Sequence, residues 1–185
     1  MNTYSDKSAL CALEDEGFHL LPSRQIYLFD GRAPVRLSKD MKNDCALLRR
    51  TRLEKVSNDE FTMADYARCI KLYEQLYLEK YTPLNPQYTA TYLADAHQSD
   101  ILQLEGLRDP GGTLVAIGGR FQYGQTMTQP LLGYDTMRPQ EEGLYRLITA
   151  MAQRDAMANG LLFNMSAGAA AFKRNRCAVP AIEYS

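Results

Sequence analysis

The chain has 185 residues, of which 45% are hydrophobic and 23% charged, with a formal net charge of −1. That length suits one domain, or one domain plus a fragment of a second, with a core large enough to need no disulfides or metals. The charge balance excludes nucleic-acid binding through overall basicity, and no apolar run approaches the about 20 residues that cross a bilayer. The first residues, up to Cys11, mix Asp6, Lys7 and polar side chains, which is not the pattern of a secretory signal, so a cytoplasmic protein is expected. Cysteines stand at 11, 45, 69 and 177 with only His19 and His97 beside them, so free thiols and no metal site are expected.

Taken in chain order, Ala12 to Phe18 reads as a short polar segment, and Ile26-Tyr27-Leu28-Phe29 before Asp30-Gly31 as a strand and its turn. Residues 32–55 carry eight basic side chains against Asp40, Asp44 and Glu54, and Ser38 is placed to cap a helix running to about Leu48. This basic stretch is either a solvated helix face or a landing surface for an anion such as a cofactor phosphate, tRNA or an acidic lipid surface.

A short strand is expected over Leu53 to Ser57. Thr62-x-x-Asp65 is a capping box, and Tyr66, Cys69, Ile70, Tyr73, Leu76 and Tyr77 follow at helical spacing. Thr82-Pro83 ends that helix, and Asn85-Pro86 is read as the N-cap and first residue of a second one reaching about Ala96. Strands over Ile101–Leu107, Thr113–Phe121 and Gln125–Tyr134 are joined by Asp109-Pro110-Gly111-Gly112 and Tyr123-Gly124, as in an antiparallel meander. Pro130 has no N–H to give, so the third strand must break or bulge there. A helix over about Glu142 to Ala158, a strand at Leu161–Met165, a small-residue turn into a short helix over Ala167–Asn175 and a strand at Val179–Tyr184 complete the reading.

Three stretches carry a family likeness: Gly119-Arg120-Phe121, Leu132-Gly133-Tyr134-Asp135, and the run from Phe163 through Ser166-Ala167-Gly168 to Phe172-Lys173-Arg174. With the order β-α-α-β-β-β-α-β-α-β from Leu53, they resemble the GNAT N-acyltransferase fold, in the branch of CelD/BcsL-like and FemAB-like proteins. The resemblance implies an α/β (α+β) domain over residues 50–185, with a mixed, mostly antiparallel central sheet flanked by helices. It implies that residues 1–49 are the remnant of a first lobe and a basic linker helix. The chain stops about where a closing seventh strand is expected, so an open edge and a homodimer are expected.

The same resemblance implies direct transfer of an acyl group from acetyl-CoA or another acyl-CoA to an amine of a small molecule, sugar or peptide. Gln140, Gly143, Leu144 and Tyr145 then form the helix entrance that meets the cofactor pyrophosphate, with Leu132 and Gly133 beside its arm. Tyr145 stands where the family pattern has a small residue, and Glu141 and Glu142 oppose an anion. Base and acid candidates are Asp135, Glu183, Tyr184 and Tyr145, while Tyr73, Tyr77 and Tyr81 are placed along the acceptor site. Ordinary core, turn and surface roles account for each of these residues as well. A FemAB-like transfer from charged tRNA, met through residues 32–55, and a non-catalytic binding or assembly module are the alternatives.

Overall fold

The computed structural model describes residues 1–4 and 6–185. Among them, seven strands form one sheet in the order β2-β3-β4-β5-β6-β1-β7. The meander is β3 (Gln103–Arg108), β4 (Leu114–Tyr123) and β5 (Thr126–Tyr134), all antiparallel, with β2 (Glu54–Val56) on its outer side. β5 then runs parallel to β6 (Leu162–Asn164), the one parallel pairing in the sheet.

The capping box of α3 (Met63–Glu74) is formed as the sequence predicts: Asp65 accepts from the Thr62 N–H at 2.8 Å and from its hydroxyl at 2.9 Å. A π-helical turn, Gln75–Glu79, extends the helix. Asn85-Pro86, by contrast, starts nothing. α4 is Ala90–Gln98 with Thr89 as its cap, and the Asn85 amide donates to the Tyr77 carbonyl instead. Ala12 to Phe18, read as a short polar segment, begins inside a helix, α1 (Lys7–Asp15), which takes in residues 12–15. α2 is Lys39–Arg50, begun by Ser38, whose side chain accepts from the Met41 N–H.

The expected open edge is filled from the front of the chain. β1 (Pro22–Asp30) inserts between β6 and β7 (Val179–Tyr184), antiparallel to both, and buries Ile26 to Phe29 almost completely. The outer side of β7 is itself covered, because Met1 O accepts from the Tyr184 N–H and Thr3 pairs with Ile182. β1 lies in the 1–49 segment expected to be a lobe remnant and linker, and it completes the sheet. The physical ground for a dimer, an unpaired edge, is thereby removed at β7.

α3 and α4 pack on one face of the sheet and α5 (Leu144–Ala158) on the other. Gly133 is where α3 comes closest to β5: a Cβ there would stand 2.5 Å from the Leu72 carbonyl carbon and the Tyr73 nitrogen. Backbone cannot yield as a side chain can. Gly133→Ala is therefore expected to cost about 1–3 kcal/mol, read as a lower urea midpoint with an unchanged slope.

Candidate functional site

β5 and β6 stay paired only through Thr128 and Asn164, and the strand edges part at Gln129-Pro130. Proline removes a donor from the ladder, so the separation follows from the sequence. Into the gap opens a cleft of about 520 Å³. Its walls are Leu76, Tyr77 and Tyr81 after α3, Leu132 and Tyr134 of β5, Tyr145 and Thr149 of α5, and the loop that follows β6.

That loop is bent by three left-handed residues, Ser166 (φ 61°), Gly168 (φ 76°) and Ala169 (φ 47°). Two of them are not glycine, and such conformations persist only where surroundings hold them. What holds this one is Lys173 of α6 (Ala170–Arg174). Its side chain is 4% exposed, and Nζ donates to Ser166 O at 3.1 Å and Ala167 O at 2.6 Å. An ammonium has three N–H donors, two of which these carbonyls take, and the Tyr27 ring lies 5.7 Å from Nζ. Burial pulls the Lys173 pKa down to about 8. Lys173 is the one charged side chain lining the cleft among the described residues. Gln129 lies over Gly118 of β4, and its Nε2 is buried without a hydrogen-bond partner.

The sequence-predicted residues divide clearly. Tyr77, Tyr81, Leu132 and Tyr145 line the cleft, with Tyr134 beside them, and burial raises the Tyr145 phenol to about 12. Tyr73 does not; it is a core ring, stacked on Tyr77 at 4.8 Å with its hydroxyl donating to Pro86 O. Asp135 sits in the turn after β5, bonded at 2.9 Å to Arg68. Glu183 pairs with Arg24, and Tyr184 lies beside it on β7. None of these last three reaches the cleft, which therefore holds no carboxylate among the described residues. Lys173 and Gln129 went unassigned in the sequence reading. Lys173 enters the sequence reading only as part of the family-like run that ends at Arg174, yet it and Arg176 are both buried.

The helix entrance is covered. Gly143 (φ 66°) starts α5 after a 3-10 turn at Gln140–Glu142, but it is buried beneath α2. A Cβ on Gly143 would stand 2.8 Å from Leu47 Cδ2. The close approach expected for a pyrophosphate at Gly143 and Leu144 is thus occupied by a leucine side chain. α2 is fixed there by Asp44, 1% exposed, which bonds Arg146 of α5 at 2.7 Å and Arg176 at 2.6 Å. Its other face is basic: Lys39, Lys42, Arg49 and Arg50 are exposed, as are Arg52 and Lys55 beyond it, and none of them enters an ion pair among the described residues.

No protein-family model matches the chain, and no curated protein matches its sequence. Solved structures do match. FemX aligns with a TM-score of 0.74 at 8% identity, over 98% of this chain and 68% of that one. L-PGS from Bacillus licheniformis aligns at 0.69 and 13% identity, over 96% of this chain, which spans 64% of its length. A GCN5-related N-acetyltransferase from Sphaerobacter thermophilus aligns at 0.54 and 14% identity, over 98% of this chain and 55% of that one. At such identities the likeness concerns the fold, and the fold of this chain is GNAT-like: a mostly antiparallel seven-stranded sheet flanked by helices.

Proposed function

We propose that the chain is a transferase domain that moves an acyl or aminoacyl group onto an amine in the cleft between β5 and β6. The observation that carries this reading is the buried Lys173 ammonium, which lines the cleft at the point where two parallel strands part. In the reaction the amine nitrogen attacks the donor carbonyl carbon, the C–N bond forms, and the bond from that carbon to the donor oxygen or sulfur breaks. Lys173 stabilises the developing oxyanion. The proton released by the attacking amine goes to the leaving group, and no covalent enzyme intermediate is needed.

For the donor, the geometry favours an aminoacyl ester of tRNA. Leu47 occupies the space above Gly143, and α2, tied to Arg146 and Arg176 through the buried Asp44, turns an exposed basic face outward on its other side. An acyl-CoA donor remains the second reading, favoured by the β5 edge beyond Thr128, where the backbone is free to bond a pantetheine amide. The acceptor in either case is an amine of a small molecule, sugar or peptide.

The test is titration of the chain with charged tRNA by fluorescence anisotropy at 50 and 200 mM salt, beside acetyl-CoA. If about four of the exposed basic residues meet phosphates, affinity falls roughly 10²-fold between the two salts. Saturable acetyl-CoA binding with transfer to an amine, and no tRNA binding, would overturn the donor assignment and keep the site. Absence of transfer from both donors to a panel of amines would overturn the transferase reading.

A further inference from the structure

Away from the cleft, a groove of about 560 Å³ lies between the second half of α5 and the β2-β3-β4 end of the sheet. Its floor holds Glu105 of β3. The residue opposite on β4 is Gly118, which has no side chain to offer a partner. Glu105 Oε1 is shielded from solvent and has no hydrogen-bond partner. An unpartnered buried carboxyl is costly, and native structures rarely keep one without a use.

Of the neighbouring polar groups, the Gln129 amide nitrogen over Gly118 is buried and also without a partner, whereas those that line the groove are committed. Arg120 bonds Asp155 of α5 at 2.8 Å, Glu60 accepts from the Ser57 N–H at 2.7 Å, and Asn58 accepts from the Leu104 N–H at 2.6 Å. On the rim, Lys55 and Arg154 are exposed and enter no ion pair among the described residues. Val56 and Met151 add apolar lining. The groove thus offers one shielded anion, an apolar stretch, and two solvated cations.

We propose that this groove binds a small zwitterion of the amino-acid class, with its ammonium on the Glu105 carboxylate and its carboxylate between Lys55 and Arg154. The site is separate from the transfer cleft and does not depend on the function assigned there. Glu105 faces Arg120, Lys55 and Asp155; burial and Asp155 raise its pKa, the two cations lower it, and the outcome is about 7. A cationic ligand group needs the ionised form, so binding strengthens as pH rises through 7. Between pH 6 and pH 8 the ionised fraction of such a group grows about tenfold.

The experiment is calorimetric titration with L-leucine at pH 6 and pH 8, together with 3-methylbutylamine and 4-methylpentanoate, which each keep one of its two charges. L-Leucine is expected to bind more tightly than either analogue, and about tenfold more tightly at pH 8. Glu105→Gln should weaken it at least tenfold at pH 8 and remove the pH dependence. Arg154→Glu, on the exposed rim where folding is not at issue, should weaken it several-fold. Absence of L-leucine binding, equal binding by Glu105→Gln, or an analogue that matches L-leucine would each overturn the proposal.

Discussion

Replacing Lys173 by methionine is expected to lower kcat/KM for transfer by about 10²- to 10³-fold, the range seen when one donor to a developing oxyanion is removed. The side chain supplies both the shape of the loop after β6 and the charge at the splay, so circular dichroism must show that the variant is folded. The wild-type pH profile separates the two roles. Burial lowers the Lys173 pKa to about 8, so the ammonium predominates below that value and is lost above it. The acceptor amine reacts in its neutral form, which rises with pH. The product of these two fractions is a bell whose falling limb lies near pH 8. A merely structural lysine would leave the alkaline limb wherever the acceptor and donor set it, and Lys173→Met would then keep the wild-type profile at lower amplitude. The same shift has a stability counterpart. The unfolded chain binds this proton up to a higher pH than the folded one, so this group's contribution to stability rises with pH between about 8 and the ordinary lysine range.

What the sequence made legible follows from how local each signal is. The Thr62–Asp65 box spans four residues and predicted the start of α3; Pro130 lacks a donor and predicted where β5 leaves β6. Ile26 to Phe29 read as a strand for the same local reason, but its partners are β6 and β7, more than a hundred residues away. Nothing near residue 26 encodes that pairing, so the strand's place in the sheet was missed. Asn85-Pro86 shows the opposite failure. A good local start signal lost to a tertiary hydrogen bond, from the Asn85 amide to Tyr77 O. At the site, the cleft-lining Tyr77 and Tyr81 were among the candidates because rings at helical spacing stand out, and Tyr145 through the family resemblance. Lys173 did not stand out. It sits in a run with Arg174 and Arg176, and a basic run reads as solvated unless the loop carbonyls that bury its ammonium are known. Its one early signal was the small-residue turn Ser166-Ala167-Gly168-Ala169, since close-packed backbone leaves carbonyls that need a donor.

Asp44→Ala is expected to remove about 3–5 kcal/mol of stability, because it leaves the Arg176 guanidinium, 5% exposed, without its main partner. Asp40 lies 3.7 Å from that guanidinium and is itself more than a third exposed, so it compensates little. Stacking of Arg176 on Phe172, at 3.6 Å from the ring centre, remains but cannot balance a buried charge. Urea unfolding measures the loss, and a change below about 1 kcal/mol would mean that the pair behaves as an exposed one. The double variant Asp44→Leu with Arg176→Met should recover most of the stability, as buried pairs replaced by apolar residues often do. The pair of variants also reports on function. Asp44 is what ties α2 to α5 and to the end of α6, and α2 is what covers Gly143. If the basic face of α2 guides tRNA to the cleft, Asp44→Ala weakens tRNA binding, because those charges lose their fixed position. The apolar double variant restores the packing of α2 but not its tie to Arg146, so its tRNA affinity should lie between the other two. Equal tRNA binding by all three proteins would mean that the docked position of α2 does not guide tRNA.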